Sequence, residues 1–347
     1  MEKLYFASDY QEGAHPEILR VLSESNLEKT SGSGSDPYCA SARDKIREAC
    51  SCPGAEVHFL VGGTQTNMVM IDAMLRPWQG VISAETGHIA GHEAGATEAC
   101  GHKVLPLENR FGKINAEQIR QLMDGYDQDA NREHMVMPGM VYLSQPTEYG
   151  TLYRLRELSE ISALCRERKN PLYVDGARLA YALAAPENDV TLPDLARLCD
   201  AFYIGGTKCA ALFGEAVVIP QAGSVPHLFT LIKQHGALLA KGRMLGIQFD
   251  ALFTDNLYLK IGKPAIEAAV RIKEALLSLG YQLYFDTPTN QIFCVVEDAR
   301  LQELGKQIEY SFWEKCGANQ TVIRLASSWA TTEADTEKLI RVLRKLA

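Results

Sequence analysis

Three short segments of the chain carry residues that could do chemistry. Gly62-Gly63-Thr64 lies between an apolar run and a helical pattern, Asp175 ends a second apolar run, and Lys208 follows a third one and a double glycine. Each segment is therefore predicted to lie at the end of a buried strand, which is where open α/β sheets bind their ligands.

Each segment has a functional and a plainer interpretation. Glycine and free helix N–H groups at Gly63 and Thr64 suit a phosphate, although Thr64 could simply cap the helix. The Asp175 carboxylate could serve a ligand or form a structural ion pair with Arg178. A partly desolvated Lys208 amine could form a Schiff base, or it could be an ordinary surface lysine.

Together the three segments point to one cofactor. A phosphate cradle, a strand-end acid and a strand-end lysine are what pyridoxal 5'-phosphate (PLP) requires. The lysine forms an imine with the cofactor, the acid keeps its pyridine nitrogen protonated, and the helix N-terminus takes its phosphate. The chain has no GxGxxG segment, which argues against a dinucleotide.

Over nearly its whole length, the chain resembles the low-specificity L-threonine aldolase and β-eliminating lyase family of fold-type-I PLP-dependent enzymes. The segments that carry the resemblance are Ser8-Asp9, Gly63-Thr64, Gly87-His88-Ile89, Asp175-Gly176-Ala177-Arg178, Thr207-Lys208 and Ile323-Arg324-Leu325. The Asp-Gly-Ala-Arg run with its downstream lysine is the most specific of them.

The resemblance implies a role for each matching residue. In the catalytic set, Lys208 carries the cofactor, Asp175 contacts the pyridine nitrogen, and His88 stacks on the ring. The substrate α-carboxylate is held by Ser8, Arg178 and Arg324. The implied cofactor-binding residues are Gly63, Thr64, His88, Asp175, Arg178, Thr207, Lys208, Lys241 and Arg243.

The resemblance also implies a partner subunit and a reaction. Lys241 and Arg243 lie in the region from which a neighbouring subunit completes the phosphate site, so we expect a homodimer or homotetramer with active sites at the interface. The implied reaction cleaves the Cα–Cβ bond of a β-hydroxy-α-amino acid, converting threonine or allo-threonine to glycine and acetaldehyde.

Two alternatives stay open at this point. PLP-dependent β-elimination or transamination of another amino acid would use the same lysine, acid and arginines. A metal-dependent hydrolase could use His88, His92 and Glu93, but the chain has no HExxH segment, and we predict no metal.

The chain departs from the family on the substrate side. Members of the family often carry a second histidine that helps to hold the substrate's β-hydroxyl, and this sequence puts Thr147 at about that position. An aromatic residue expected near the substrate is replaced by Gly32-Ser33-Gly34-Ser35, and Tyr38 is the nearest substitute. We therefore expect specificity to differ from that of the family.

The elements that must position these residues alternate between apolar runs and helical patterns. Such alternation predicts an α/β fold with a mainly parallel sheet, and the resemblance implies the aspartate aminotransferase fold (fold type I). After about Lys260 the pattern indicates a smaller C-terminal α+β domain, with a helix over 264–279, strands at 291–296 and 322–325, and a helix near 301–312. We expect an N-terminal arm (1–15), a large PLP-binding domain (16–260) and a small domain (261–347).

Composition limits the remaining classes. The 347 residues are 46% hydrophobic, and their formal net charge of −8 argues against binding to nucleic acid. Nine cysteines in a long chain do not resemble a secreted disulfide framework. We read no signal peptide and no apolar stretch of the roughly 20 residues that a bilayer requires, so we predict a cytoplasmic protein that binds no membrane.

Overall fold

The computed structural model describes residues 3–346. Up to residue 219 the elements are β1 (Leu4–Tyr5), α1 (Pro16–Glu24), α2 (Pro37–Ala49), β2 (Glu56–Leu60), α3 (Gly63–Met74), β3 (Gln79–Ala84), α4 (His88–Gly91), α5 (Ala96–Ala99), β4 (Lys103–Leu107), α6 (Ala116–Gln128), β5 (Met137–Ser144), α7 (Leu155–Arg168), β6 (Leu172–Asp175), α8 (Leu179–Ala184), α9 (Leu192–Leu198), β7 (Ala201–Gly205) and β8 (Glu215–Ile219). The remaining elements are α10 (Leu228–Gln234), α11 (Arg243–Leu252), α12 (Leu257–Ile261), α13 (Lys263–Ser278), β9 (Gln282–Phe285), β10 (Gln291–Glu297), α14 (Asp298–Gln307), β11 (Ile308–Glu309), β12 (Ser311–Lys315), β13 (Gln320–Ala326) and α15 (Glu333–Leu346).

The larger sheet confirms the mainly parallel prediction. Its strands run in the order β2-β8-β7-β6-β5-β3-β4. The strands from β7 to β4 in this order pair in parallel, and only the β7–β8 and β8–β2 pairs are antiparallel. Every residue of β6 and β7 is buried, because helices cover both faces of the sheet. Parallel pairing brings the carboxyl ends of β5, β6 and β7 to one edge.

Several helices begin or end at residues that are typical helix caps. Asn115 and Gln118 form a capping box at the start of α6, and Thr191 and Asp194 form one at the start of α9. Gly280, just past the end of α13, has a φ of +82°, which suits a residue without a side chain.

The smaller sheet is antiparallel, with the order β12-β13-β10-β9. Apolar residues of α13, α15, β10 and β13 pack together beneath it, including Ile272, Ile292, Ile323 and Leu339. The helix predicted near 301–312 is wrong in its second half, since α14 ends at Gln307 and β11 and β12 follow. Pairing of β12 with β13 overrides the local helical pattern there.

The N-terminal segment lies against the smaller sheet. β1 pairs in parallel with β11, Leu4 opposite Ile308, and the Phe6 side chain is buried in the core of that sheet. The backbone N–H of Ala326 donates to Phe6 O at 2.8 Å. The expected division at residues 15 and 260 remains a proposal, with α1 starting at Pro16 and α12 ending at Ile261.

Within residues 3–346, every helix is too short or insufficiently apolar to cross a lipid bilayer.

Candidate active site

A cavity of about 270 Å³ opens at the carboxyl ends of β5, β6 and β7. Its lining includes these predicted site residues: Gly63, Thr64, His88, Asp175, Arg178, Thr207 and Lys208. An outer cavity of about 560 Å³ shares His88, Arg178 and Lys208 with the first and adds Arg324 from β13. The structure therefore brings together residues that are up to 261 positions apart in the sequence, from Gly63 to Arg324.

Asp175 lies in this cavity and is surrounded by neutral donors. Its carboxylate accepts hydrogen bonds from Tyr142 Oη (2.6 Å), Tyr203 Oη (2.5 Å), Asn67 Nδ2 (3.0 Å) and the backbone N–H of Ala177 (2.9 Å). Burial alone would raise the pKa of Asp175, but these hydrogen bonds outweigh it and hold the pKa below its ordinary value. The alternative ion pair with Arg178 does not form, and Asp175 stays anionic chiefly because of these hydrogen bonds.

Lys208 is half-buried where the two cavities meet, and its amine has no hydrogen-bond acceptor among residues 3–346. Burial and the nearby charge of Arg178 lower the pKa of Lys208. The double glycine before it is required by close packing. A Cβ on Gly205 would lie 2.4 Å from Ala177 O, and one on Gly206 would lie 2.6 Å from Gly214 O. The turn after β7 therefore holds the lysine close to Asp175.

The start of α3 faces the same cavity. Gly62 is the N-cap residue, and no side chain accepts a hydrogen bond from the first N–H groups of the helix. The suggestion that Thr64 caps α3 is therefore wrong. A Cβ on Gly63 would lie 3.1 Å from the Tyr203 hydroxyl, which is held by Asp175. Glycine leaves these N–H groups open to an anion.

His88, the first residue of α4, is oriented by a buried glutamate. Its Nδ1 lies 2.7 Å from Glu93 Oε1, which also accepts a hydrogen bond from Asn67 Nδ2 at 2.7 Å. Asn67 in turn contacts Asp175, so a chain of hydrogen bonds joins His88 to Asp175. With Nδ1–H donated to a carboxylate, Nε2 is the nitrogen available to a ligand.

The histidines do not form a metal site with their neighbours. The rings of His88 and His92 lie 5.9 Å apart. In the part of the chain that the structure describes, no three His, Cys, Asp or Glu side chains are grouped as metal ligands. Glu93 is instead a positioning residue for His88.

Arg178 is bound by a carboxylate that we did not predict. Its Nε and Nη2 donate to the two oxygens of Asp9 at 2.6 and 3.1 Å. Asp9 is fully buried and also accepts a hydrogen bond from Asn290 at 2.9 Å. Burial opposes ionisation of Asp9, but the charge of Arg178 prevails and lowers the pKa of Asp9 to about 2. The pair therefore stays charged at neutral pH.

Arg324 lies on the opposite side of the outer cavity and has only neutral acceptors. It donates to Gln291 Oε1 (3.1 Å), Ala7 O (3.0 Å) and Ser311 Oγ (3.2 Å). No carboxylate among the described residues pairs with it, and its Nε is buried without a partner. Burial lowers the pKa of Arg324 to about 10. An anion in the cavity would therefore find an uncompensated guanidinium.

The loop after β5 presents a glutamate rather than the expected threonine. Thr147 Oγ1 is buried and lies 2.7 Å from Thr151 Oγ1, away from the cavity. Glu148 lines both cavities. Its Oε1 accepts hydrogen bonds from Ser144 Oγ (2.7 Å) and the His88 backbone N–H (2.9 Å). In the described structure Glu148, and not Thr147, therefore lines the two cavities.

Two further residues line the cavity without having been predicted. Tyr10, from the N-terminal segment, contributes to both cavities, while Tyr38 lies outside them and donates to Glu28 at 2.8 Å. Glu215 begins β8, and its Oε2 accepts the Gly206 backbone N–H at 3.1 Å. Burial raises the pKa of Glu215 to about 8. In the sequence, the sign that Glu215 could be functional is that it is a single charged residue in an apolar run.

Three predicted residues do not line the cavity. Ser8 is half-buried between Ala7 and Asp9, which contact Arg324 and Arg178 respectively. Arg243, at the start of α11, donates to the carbonyls of Glu28 and Asn26, and Lys241 is exposed beside it. Their proposed roles remain predictions.

The fold defines the class of protein. The structure matches the aspartate aminotransferase of Thermus thermophilus with a TM-score of 0.74 at 14% identity, over 100% of this chain and 92% of that one. This likeness concerns the fold alone, and it confirms the predicted aspartate aminotransferase fold.

The sequence then defines the family. Residues 6–299 match the family described as beta-eliminating lyase, and the chain belongs to that family. It is 30% identical to the low specificity L-threonine aldolase of Pseudomonas aeruginosa, over 98% of this chain and 96% of that protein. A solved structure of Leishmania major threonine aldolase matches with a TM-score of 0.96 at 42% identity, over 99% of this chain and 100% of that one. The protein is therefore a lyase of a family whose membership implies dependence on PLP.

Proposed function

We propose that this protein is a PLP-dependent lyase that cleaves the Cα–Cβ bond of a β-hydroxy-α-amino acid, converting threonine or allo-threonine to glycine and acetaldehyde. The observation that carries the proposal is the Arg324 guanidinium, which has no carboxylate partner and lines a cavity shared with Lys208. Such a pair of groups suits an amino acid, and the names of the relatives supply the particular substrate.

The residues of the inner cavity fit PLP. Lys208 would hold it covalently, since its amine has a lowered pKa and no acceptor within residues 3–346. Asp175 would contact the pyridine nitrogen, since its hydrogen bonds keep its pKa below the ordinary value despite burial. The N–H groups at Gly63 and Thr64, with Thr207, would take the phosphate, and His88 would lie against the ring. When bound, PLP draws electron density away from Cα of the substrate.

The outer cavity would orient the substrate. Arg324 would bind its α-carboxylate through paired N–H groups. Arg178 would add its remaining nitrogen, Nη1, because Asp9 already occupies Nε and Nη2. Ser8 would assist from the same segment. Holding the carboxylate fixes which bond at Cα stands in line for cleavage.

A partner subunit would complete the phosphate site. Lys241 and Arg243 lie away from this chain's own cavity, which supports the proposal that they serve a second copy in a homodimer or homotetramer. A Lys241→Ala, Arg243→Ala double variant should bind PLP more weakly while light scattering gives an unchanged mass.

All nine cysteines are free thiols, which supports a cytoplasmic protein.

Release of acetaldehyde tests the reaction directly. The protein, supplied with PLP, should release acetaldehyde and an equal amount of glycine from L-threonine or L-allo-threonine. Release of 2-oxobutanoate instead would indicate β-elimination, and transfer of the amino group to a 2-oxo acid would indicate transamination. Either result, without acetaldehyde, contradicts the proposal.

A further inference from the structure

We propose that Glu148 is the general base that removes the proton from the β-hydroxyl of the substrate, an inference that rests on the proposed function. The proton passes from the hydroxyl oxygen to the Glu148 carboxylate. The electron pair of that O–H bond forms the C=O bond of acetaldehyde, and the pair of the broken Cα–Cβ bond remains on Cα. A proton then adds at Cα to give glycine, so no oxidant or reductant is consumed.

The position of Glu148 supports this role. It lines both the inner cavity with Lys208 and the outer cavity with Arg324. An amino acid that reached from Lys208 to Arg324 would therefore pass along the cavity surface to which Glu148 contributes. Thr147, one residue earlier, points away into its own loop.

The backbone that carries Glu148 is held on both sides. Thr147 N donates to Thr151 O at 2.9 Å, and Gly150 N donates to Thr147 O at 2.8 Å. The Gln145 side chain makes two hydrogen bonds with the backbone of Tyr153, at 2.9 and 3.1 Å. The carboxylate is therefore presented from a fixed turn, which a general base requires.

The two oxygens of Glu148 are used differently. Oε1 accepts from Ser144 Oγ and from the His88 backbone N–H. Oε2 accepts no hydrogen bond from any described residue, and it is not enclosed by protein atoms. One oxygen thus fixes the orientation of the carboxylate, and the other is left for a ligand.

The surroundings of Glu148 strengthen it as a base. Burial raises the pKa of Glu148 above its ordinary value, which increases its affinity for a proton. The other charged and titratable side chains that line the two cavities are Tyr10, His88, His92, Tyr149, Asp175, Arg178, Tyr203, Lys208, Glu215, Glu314 and Arg324. Among these, His88 is less suited to the β-hydroxyl, because Glu93 holds its Nδ1 and its ring is the proposed cover of the cofactor.

The test compares a reaction that needs a β-hydroxyl with one that does not. Glu148→Gln keeps the size of the side chain and an oxygen that can accept from Ser144 and His88. We expect kcat for L-threonine cleavage by the PLP-loaded enzyme to fall about 100-fold or more. Exchange of the glycine α-proton into D2O, followed by NMR, and the dissociation constant for glycine, followed by calorimetry, should both stay within about three-fold.

A second glutamine variant provides the matched control. Glu85→Gln changes an exposed glutamate at the end of β3 that lines neither cavity. It should leave threonine cleavage, glycine exchange and glycine binding unchanged.

Three results would overturn the proposal. Cleavage by Glu148→Gln within about three-fold of the unmodified enzyme would remove Glu148 from the reaction. A parallel loss of cleavage, glycine exchange and glycine binding would make Glu148 a structural residue of the site. An unmodified enzyme that exchanges glycine but releases no acetaldehyde would contradict the proposed function itself, and this inference with it.

Discussion

The cavity has two walls that differ in how their charges are compensated. The sheet-edge wall consists of residues 144–148, 175–178 and 205–208, which follow β5, β6 and β7. The small-sheet wall consists of β12 and Arg324. On the sheet-edge wall Asp175 accepts four hydrogen bonds and Arg178 is paired with Asp9, whereas on the small-sheet wall Arg324 has no carboxylate partner within residues 3–346. The charges of Asp175 and Arg178 are therefore compensated before any ligand binds. The charge of Arg324 is the one that an anionic ligand would compensate.

The largest effect should come from Lys208 on the sheet-edge wall. Lys208→Ala should abolish the visible absorbance of covalently bound PLP and lower cleavage by about 10⁴-fold or more, because the attachment point of the cofactor is lost. The fold should persist, since the half-buried amine of Lys208 makes no hydrogen bond to another described residue. Absorbance spectra and far-UV circular dichroism measure both effects.

The matched control for this variant is Lys263→Ala, whose side chain is exposed at the start of α13. Its spectrum and activity should equal those of the unmodified protein. A Lys208→Ala protein that kept its visible absorbance would contradict the assignment of the cofactor site.

The next effect concerns the ion pair of the sheet-edge wall. Asp9→Asn should lower the free energy of unfolding of the apoprotein by about 3 kcal/mol at pH 7, because a buried Arg178 loses its counter-charge. Since the folded-state pKa of Asp9 is about 2 against 3.8 ordinarily, its charge stabilises the fold above about pH 4 and ceases to do so as the pH falls towards 2. Urea unfolding at several pH values measures the free energy of unfolding of the unmodified protein and of Asp9→Asn. The difference between these two free energies should decrease by about 2 kcal/mol as the pH falls below 4.

Asp286→Asn serves as the comparison, since Asp286 pairs with Lys273 but its side chain is 79% exposed. We expect a change within about 0.5 kcal/mol. If Asp9→Asn and Asp286→Asn lowered the free energy of unfolding equally, the Asp9–Arg178 ion pair would not stabilise the fold as described above.

The small-sheet wall is tested by Arg324→Lys. A lysine cannot reproduce the paired N–H groups of a guanidinium, so KM for threonine should rise about 30- to 100-fold while kcat changes by less than about three-fold. The control is Arg341→Lys, at an exposed residue on α15. Its KM and kcat for threonine, from steady-state kinetics, should equal those of the unmodified protein.

Arg178→Lys sharpens the contrast between the walls. Because two of the nitrogens of Arg178 bind Asp9, this variant should lower the melting temperature more than Arg324→Lys does. The opposite order, with Arg324→Lys the less stable protein, would contradict the difference between the walls.

The last effect concerns the stability of the apoprotein and comes from Glu215, beside the sheet-edge wall. Its folded-state pKa of about 8 lies above the ordinary 4.5, so the folded protein holds a proton that the unfolded chain releases. Stability of the apoprotein therefore falls as the pH rises from 4.5 to 8. Glu215→Gln should remove this slope, so its melting temperature should exceed that of the unmodified protein at pH 8 but not at pH 4.5. Identical melting profiles would show that Glu215 titrates normally.

The difference between the walls also explains what the sequence could predict. Asp175 and Lys208 follow apolar strands, so local patterns and the parallel sheet were enough to bring them to one edge. Glu148 could not be singled out from the sequence, because side-chain direction in a turn depends on hydrogen bonds such as that between Thr147 and Thr151.

The small-sheet wall depends on contacts that no local pattern contains. The helix predicted near 301–312 runs over β11 and the first two residues of β12, and only the pairing of β12 with β13 shows where the strand lies. The pairing of Arg178 with Asp9, 169 residues away, and the lack of such a partner for Arg324 arise from tertiary structure alone.

The N-terminal segment also bears on the order of folding. β1 pairs with β11, 304 residues later, and Ala7, Asp9 and Tyr10 reach the cavity from the same segment. During synthesis at roughly 5–20 residues per second, this segment leaves the ribosome about 15 to 60 seconds before its partners exist. Contacts so distant in sequence form late because loop closure must precede them. The substrate end of the cavity is thus among the last parts of the molecule to form, although some of its residues are translated long before others.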